Sequence, residues 1–201
     1  MPHTSHKHHH HAEGEGQGQE EASDPTSVII YNLPTGCNCS NKSTYDEADI
    51  QNACDEALAL ASEGKTVGED RYPHVYNDYE KFNFGHAQKP FFEFPIMPNG
   101  SVYAGQSSPG ADRVVFGSIA ADYSSAIFCA VITHTGAKKY DGFVECKDDT
   151  VNTHGDGVWD VERRKGRGLE APEGREHLKP EHVKLDFWKH HREHEKEEEG
   201  K

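Results

Sequence analysis

Five side chains in the middle of this sequence have the types needed to break a phosphodiester bond. Glu93 sits inside the aromatic run FFEFPI, Arg113 begins the apolar run DRVVF, and His134 closes AVITHTG. Tyr72 and His74 stand in YPH, where strand alternation puts both on one side and Pro73 stiffens the segment. Any one of these groups also fits an outward-facing position on a half-exposed sheet. Together, on successive antiparallel strands, a glutamate, an arginine and a histidine can project onto one concave face. RNA carries its own nucleophile, the 2′-hydroxyl, so chemistry on it requires neither a serine nor a metal. It requires a base for the 2′ proton, an acid for the departing 5′ oxygen and donors for the phosphoryl charge. The expected roles are Glu93 as base, His134 as acid, and Arg113, His74 and Tyr72 as stabilisers.

A second group lies next to the first. YPHVYNDYEKF packs Tyr76, Asn77, Asp78, Tyr79 and Glu80 into a short polar stretch, too polar for a core strand and too aromatic for an ordinary loop. Two rings three residues apart can hold a flat base by stacking, at about 1–3 kcal/mol per base. The Glu80 carboxylate can accept from N1–H and N2–H of guanine, whereas adenine offers an acceptor at N1 and would be repelled. The competing reading makes Tyr76 and Tyr79 core-edge aromatics. Single-stranded RNA with splayed bases is the target such recognition suits.

These groups need a frame. Thr44-x-x-Glu47 reads as a capping box, the helix follows in DEADIQNACDEALALAS, and Gly64 is the stop. Ile50, Cys54, Ala57, Leu58 and Ala61 share one helical face, so Cys54 points at the core, where it could bridge to a strand. Strands are expected at FFEFPI, SVYAG, DRVVF, IFCAVITHT and GFVEC, separated by turns at PNG and SSPG. One helix followed by consecutive strands predicts an α+β fold, the helix packed on an antiparallel sheet.

Composition bounds the rest. The chain has 201 residues, a hydrophobic fraction of 33% and a net charge of -14, so a compact domain with polar tails is expected. Residues 1–27 contain almost no apolar side chains, and His8 to His11 read as a tag or a solvated tail rather than a metal site. Residues 28–146 form the expected domain. Residues 147–201 are charge- and histidine-rich, mostly disordered by composition, with a possible short helix at 180–199. No run approaches a membrane span. All five cysteines, Cys37, Cys39, Cys54, Cys129 and Cys146, lie in the domain. That usage points to one or two disulfides and an oxidising compartment, hence secretion, although no leader segment is visible. Cys37-x-Cys39 is too tight for the usual zinc pair.

In this order and spacing, YPH, YNDYE, EFPI, SPGADRVVF, ITHTGA and FVEC resemble the fungal guanyl-preferring ribonucleases, over about Cys39 to Cys146 and including GKTVG after the helix. The resemblance implies one helix on an antiparallel sheet, no metal or other cofactor, and RNA cleaved after guanosine through a 2′,3′-cyclic phosphate. It places catalytic roles on Glu93, His134, His74, Tyr72 and Arg113, a phosphate-side aromatic on Phe143, and guanine binding on Tyr76 to Glu80. It also implies a Cys39–Cys146 bridge, with Cys54–Cys129 as the second and Cys37 left over. Three features depart from the pattern: Asp78 where asparagine is frequent, an AKKYDGF loop one residue longer than usual, and a longer excursion at Gly117 to Phe128. The longer loop touches the base in the family, which loosens the expected guanine preference toward purines in general. A sarcin-type ribotoxin is disfavoured by the short FGHAQKP segment and the negative charge, since broad phosphate binding depends on cations. A non-catalytic binding member would have lost catalytic groups, and none is lost. A monomer acting on single-stranded RNA, without DNA or membrane, is the expectation.

Overall fold

The computed structural model describes residues 28–85, 87–150 and 176–183. Its elements follow the chain as β1 (Ile29–Tyr31), β2 (Gly36–Cys39), β3 (Ser43–Asp46), α1 (Glu47–Glu63), β4 (His74–Tyr76), β5 (Phe91–Pro95), β6 (Asp112–Gly117), β7 (Ser125–Thr133), β8 (Val144–Glu145) and β9 (Lys147–Asp148). The main sheet has the order β1-β7-β6-β5-β4, with β8 also on β7, and a small sheet runs β3-β2-β9. One helix packs on the main sheet, as expected. That sheet is mixed rather than purely antiparallel, because β1 pairs parallel with β7.

The helix starts two residues later than the motif suggested. Thr44 is spent in β3 opposite Asn38. The cap is Asp46, whose side chain accepts from Asp49 N at 2.8 Å while Asp46 N donates to Asp49 Oδ2 at 3.0 Å. This is the same reciprocal device, built from aspartates. Gly64, at φ 65°, ends the helix in the left-handed region as read. SVYAG forms no strand: Val102 makes only an isolated bridge to Ile96.

Alternation in the central strands sorts side chains onto two faces. Phe92, Phe94, Val114, Phe116, Phe128 and Val131 join Ile50, Cys54, Ala57 and Leu58 of α1 in the larger core. Phe91, Val115, Cys129, Ala130 and Ile132 form a second cluster on the other face, with Tyr76 and Phe84. A register shift between Val115 and Phe116 pairs them with Ala130 and Phe128, so Cys129 is skipped. This bulge is the reason the second bridge is absent. Cys129 falls in the far cluster, Cys54 stays under the helix, and both are free, buried thiols, as is Cys37. Burial pushes all three thiols up, Cys37 to about 12. Cys39–Cys146 is formed, and at a separation of 107 residues it removes about 4–5 kcal/mol of loop entropy from the unfolded chain.

The C-terminal extension contributes to the core. Leu178 N donates to Ile119 O at 2.6 Å, Ala121 N donates to Glu176 O at 2.9 Å, and His177 Nδ1 meets Gln88 Oε1 at 3.1 Å. Leu178 and Val183 are buried in the larger cluster. The excursion after β6 is therefore the seat of this segment. Of the helix expected at 180–199, Pro180–His182 form a 3-10 turn, and residues 184–199 lie outside those described, as do residues 1–27. Among the described residues no helix is long and apolar enough to cross a membrane.

Replacing Leu178 by alanine should cost about 2–3 kcal/mol in denaturant unfolding, the loss of a buried leucine. Glu145, with a buried and unpartnered Oε2, gives a second test. Burial, then Asp148 and Asp78, push its carboxyl up from 4.5 to about 8. The unfolded chain has shed this proton above about 4.5 while the folded chain retains it to about 8, so stability falls as pH rises through that window. In Glu145→Gln, unfolding midpoints measured at about pH 5 and about pH 8 should lie closer together than in the unsubstituted protein.

Candidate active site

The face of the sheet opposite α1 carries the candidate side chains, because the same alternation that sends Phe92 and Phe94 to the helix sends Phe91 and Glu93 away from it. Register sets the first contact: Glu93 lies directly across from His74 on β4 and from Val115 on β6. Glu93 Oε1 and His74 Nε2 form a short hydrogen-bonded ion pair. The other ring nitrogen, Nδ1, lies 3.0 Å from the carbonyl of Asp70. A carbonyl and a carboxylate both only accept, so both ring nitrogens donate and His74 is an imidazolium. Burial alone would lower the histidine, but the charge and hydrogen bond of Glu93 and the Asp70 carbonyl outweigh it and hold His74 above its ordinary value. Burial alone would raise Glu93, but His74, then Arg113 and His134, hold it below the usual carboxylate range. Its second oxygen, Oε2, is buried and has no hydrogen-bond partner. An ionised acceptor without a partner in such a place has the capacity to take a proton.

Arg113 is held by the backbone. Its Nη1 donates to the carbonyls of Pro109 at 3.3 Å, Gly110 at 2.9 Å and Asp112 at 2.9 Å, and its Nε donates to the Tyr72 hydroxyl at 3.0 Å. Nη2 is left for a ligand. The guanidinium lies 5.0 Å from the centre of the Tyr72 ring, which stacks on His74 at 4.5 Å between centroids. Tyr103 closes the far edge of Tyr72 at 6.1 Å. Burial raises the Tyr72 phenol to about 12, so it keeps its proton and can donate it.

His134 follows the last residue of β7. Its Nδ1 lies 2.8 Å from the Gly142 carbonyl and must donate there, which turns Nε2 outward. Phe143 stacks on the ring at 3.9 Å and an interplanar angle of 25°. Tyr72, His74, Glu93, Arg113 and His134 are thus brought together, and Phe143 sits against the imidazole.

The recognition stretch differs from expectation in its details. Tyr79 is 61% exposed, and its hydroxyl accepts from Asn77 Nδ2 at 2.9 Å. Tyr76 is buried, packed against Phe84 and Phe143, so of the two rings it is Tyr79 that faces solvent. Burial pushes the Tyr76 phenol far up, and its hydroxyl donates to Glu80 Oε2 at 2.6 Å. Glu80 Oε1 accepts from Phe143 N at 3.0 Å. The carboxylate is therefore fixed before any ligand arrives, with a second lone pair left on each oxygen. Asp78, at φ 55°, turns the loop and accepts from Phe82 N at 2.8 Å, so its carboxylate shapes the backbone. Sequence reasoning missed the main-chain partners: Asp70 O for His74, Gly142 O for His134, the Pro109 and Gly110 carbonyls for Arg113, and Phe143 N for Glu80. The SPG turn before Arg113 was the available signal for one of them. Among the described residues no group of three or more His, Cys, Asp or Glu side chains is placed to hold a metal ion.

A family profile described as ribonuclease matches residues 33–147. Guanyl-specific ribonuclease T1 of Aspergillus oryzae is 43% identical over 111 residues, covering 55% of this chain and 75% of that protein. Extracellular guanyl-specific ribonuclease Fl1 of Gibberella baccata is 39% identical over 106 residues, covering 53% and 91%. The solved ribonuclease RNase He1 from Hericium erinaceus is 41% identical, covers 56% of this chain and 98% of its own, and superposes with a TM-score of 0.37. The profile match spans more than half of the sequence and includes every side chain of this cluster, so the chain belongs to the ribonuclease family.

Proposed function

We propose that the protein is a secreted endoribonuclease that cleaves single-stranded RNA on the 3′ side of guanosine without a metal ion. The observation that carries this reading is the open Oε2 of Glu93, a buried ionised acceptor ringed by His74, Arg113 and Tyr72. In the first step Glu93 Oε2 takes the 2′-hydroxyl proton as the 2′ oxygen bonds to phosphorus. The bond from phosphorus to the 5′ oxygen breaks, and His134 Nε2 gives that oxygen its proton. The product is a 2′,3′-cyclic phosphate. In the second step a water takes the departed nucleoside's place and its oxygen bonds to phosphorus as His134 takes its proton; the bond from phosphorus to the 2′ oxygen breaks, Glu93 gives that oxygen its proton, and a 3′-phosphate remains. Arg113 Nη2, the Tyr72 hydroxyl and the His74 charge face the growing phosphoryl charge.

Guanine preference rests on Glu80. Its fixed carboxylate offers spare lone pairs to N1–H and N2–H, with Tyr79 as the stacking ring. The guanyl-specific character of the relatives supports this choice of base, and the extracellular character of one of them supports secretion, as does the Cys39–Cys146 bridge. DNA lacks the 2′-hydroxyl and should be inert. Because the nucleophile comes from RNA and the base and acid from two side chains, cleavage should persist in excess EDTA.

Cleavage of GpC, ApC, UpC and CpC in excess EDTA, followed through the cyclic phosphate, tests the whole reading. Release from GpC alone is expected; comparable release from ApC would replace guanine by purine preference, and no release by folded protein would sink the assignment. Glu93→Ala and His134→Ala should each lower kcat/KM on GpC by about 10²–10⁴-fold, and Arg113→Ala should be similarly damaging, all with unchanged circular dichroism. Turnover at the unsubstituted level in any of them would remove that residue from the mechanism. Glu80→Ala should erase the GpC over ApC preference. Finally, the depressed Glu93 carboxyl keeps the base ionised below the ordinary value of 4.5. The acidic limb of kcat/KM against pH should therefore fall below that value, and a limb above it would contradict the ion pair.

A further inference from the structure

Three Asn-x-Ser patterns stand in the sequence, at Asn38, Asn41 and Asn99, and none has proline between its ends. Such a pattern accepts an N-linked glycan where the asparagine lies on a reachable surface of an exported chain. The structure separates the three. Asn38 is half-buried on β2, with Thr44 on one side and Lys147 on the other, and its Oδ1 accepts from Asn41 N at 2.8 Å. The residue between its ends is the bridged, buried Cys39, and Ser40 Oγ donates to Thr135 O at 3.0 Å. Asn41 is exposed, but the hydroxyl of its pattern is spent inside the fold, where Ser43 Oγ donates to Asp112 Oδ2 at 2.5 Å.

Asn99 is limited in neither way. Met97 to Gly100 form a turn closed by Gly100 N on Met97 O at 3.1 Å, with Pro98 at its second position and Gly100 at φ 77°. Asn99, Gly100 and Ser101 are all exposed. Ser101 N and Oγ both donate to Asn99 Oδ1, at 3.0 Å and 2.6 Å. The hydroxyl that the pattern requires is thus directed at the carboxamide of its own asparagine. Nδ2 of that carboxamide has no hydrogen-bond partner among the described residues. The turn also stands on the helix side of the sheet. A Cβ on Gly100 would meet Asp49 Oδ1 at 4.0 Å, and Asn52 and Ala53 of α1 line a shallow depression with Met97 and Ser101. A bulky group on Asn99 therefore leaves the face of Glu93 uncovered.

We propose that Asn99 is an N-glycosylation site whose glycan stands clear of the reactive face. In the transfer, Asn99 Nδ2 bonds to C1 of the first sugar of a lipid-diphosphate-linked oligosaccharide. The bond from C1 to the diphosphate oxygen breaks, the lipid diphosphate departs with the electron pair, and Nδ2 loses one proton to the transferase. The inference rests on the secretion proposed above, because donor and transferase act in the secretory lumen.

The test is the full-length chain sent through a eukaryotic secretory pathway behind a cleavable leader and recovered from the medium. It should migrate more slowly than the same chain made in bacterial cytoplasm. An N-glycosidase should remove that shift and convert Asn99 to aspartate, read by tandem mass spectrometry. Asn99→Gln and Ser101→Ala should each lose the shift, whereas Ser101→Thr, Asn38→Gln and Asn41→Gln should keep it. kcat/KM on GpC should be the same before and after glycan removal; a slower glycosylated form would put the glycan over the reactive face and overturn its placement. A shift that survives Asn99→Gln, or a bare Asn99 in protein recovered from the medium with Cys39–Cys146 oxidised, would overturn the site without touching the secretion reading. Native protein found only inside the cells of its source would overturn secretion, and with it the modification of the natural chain.

Discussion

Everything in this molecule hangs on the two-residue period of three adjacent strands. In β5, β6 and β7 one set of side chains seals the helix against the sheet, and the intervening set builds the reactive face. A slip of one residue would send Glu93 under α1 and Phe92 or Phe94 into solvent, exchanging a packed core for a buried charge. The register is held at several points. The helix packs against the aromatic positions, the bulge at Val115/Phe116 absorbs an extra residue in β7, and Cys39–Cys146 ties the small sheet to the end of β8. The rigidity needed for catalysis and the stability of the domain thus have one source.

On that face the electrostatics run against stability for its own sake. An ion pair removed from water seldom contributes more than an apolar pair of the same volume. His74 and Glu93 are nevertheless both kept charged, each by the other and by groups around them. Arg113 is held mainly by carbonyl oxygens, so its positive charge is not neutralised by a carboxylate of its own. The result is one unpartnered negative oxygen among fixed positive charges, an arrangement that would suit the proposed substrate, with a proton on one side and a phosphate on the other. Preorganised charge of this kind does not have to reorient during the reaction.

How far the sequence foretells this depends on the kind of interaction. Side chains whose placement follows from type and strand phase were legible: Glu93, Arg113 and His134 interrupt apolar runs, and Tyr72 and His74 share a phase. The helix was legible from its face and from Gly64. What could not be read was anything carried by the main chain, because a carbonyl has no residue type. The three oxygens holding Arg113 and the amide holding Glu80 belong to that class. The bulge was equally silent, and it is why a Cys54–Cys129 bridge looked reasonable while the two thiols lie in different clusters. Parallel pairing of β1 and the burial of Leu178 fall outside local pattern as well, since both depend on partners far along the chain, Ser125 to Ile127 for β1 and Ile119 for Leu178.

Phe143 connects the two groups of polar side chains. Its amide donates to the Glu80 carboxylate, and its ring lies flat against the His134 imidazole. A ligand that draws on Glu80 would therefore pull on the residue whose ring lies against His134. On the proposed mechanism, selectivity and proton delivery would share one mechanical element, and a poorly matched base would lose turnover as well as affinity.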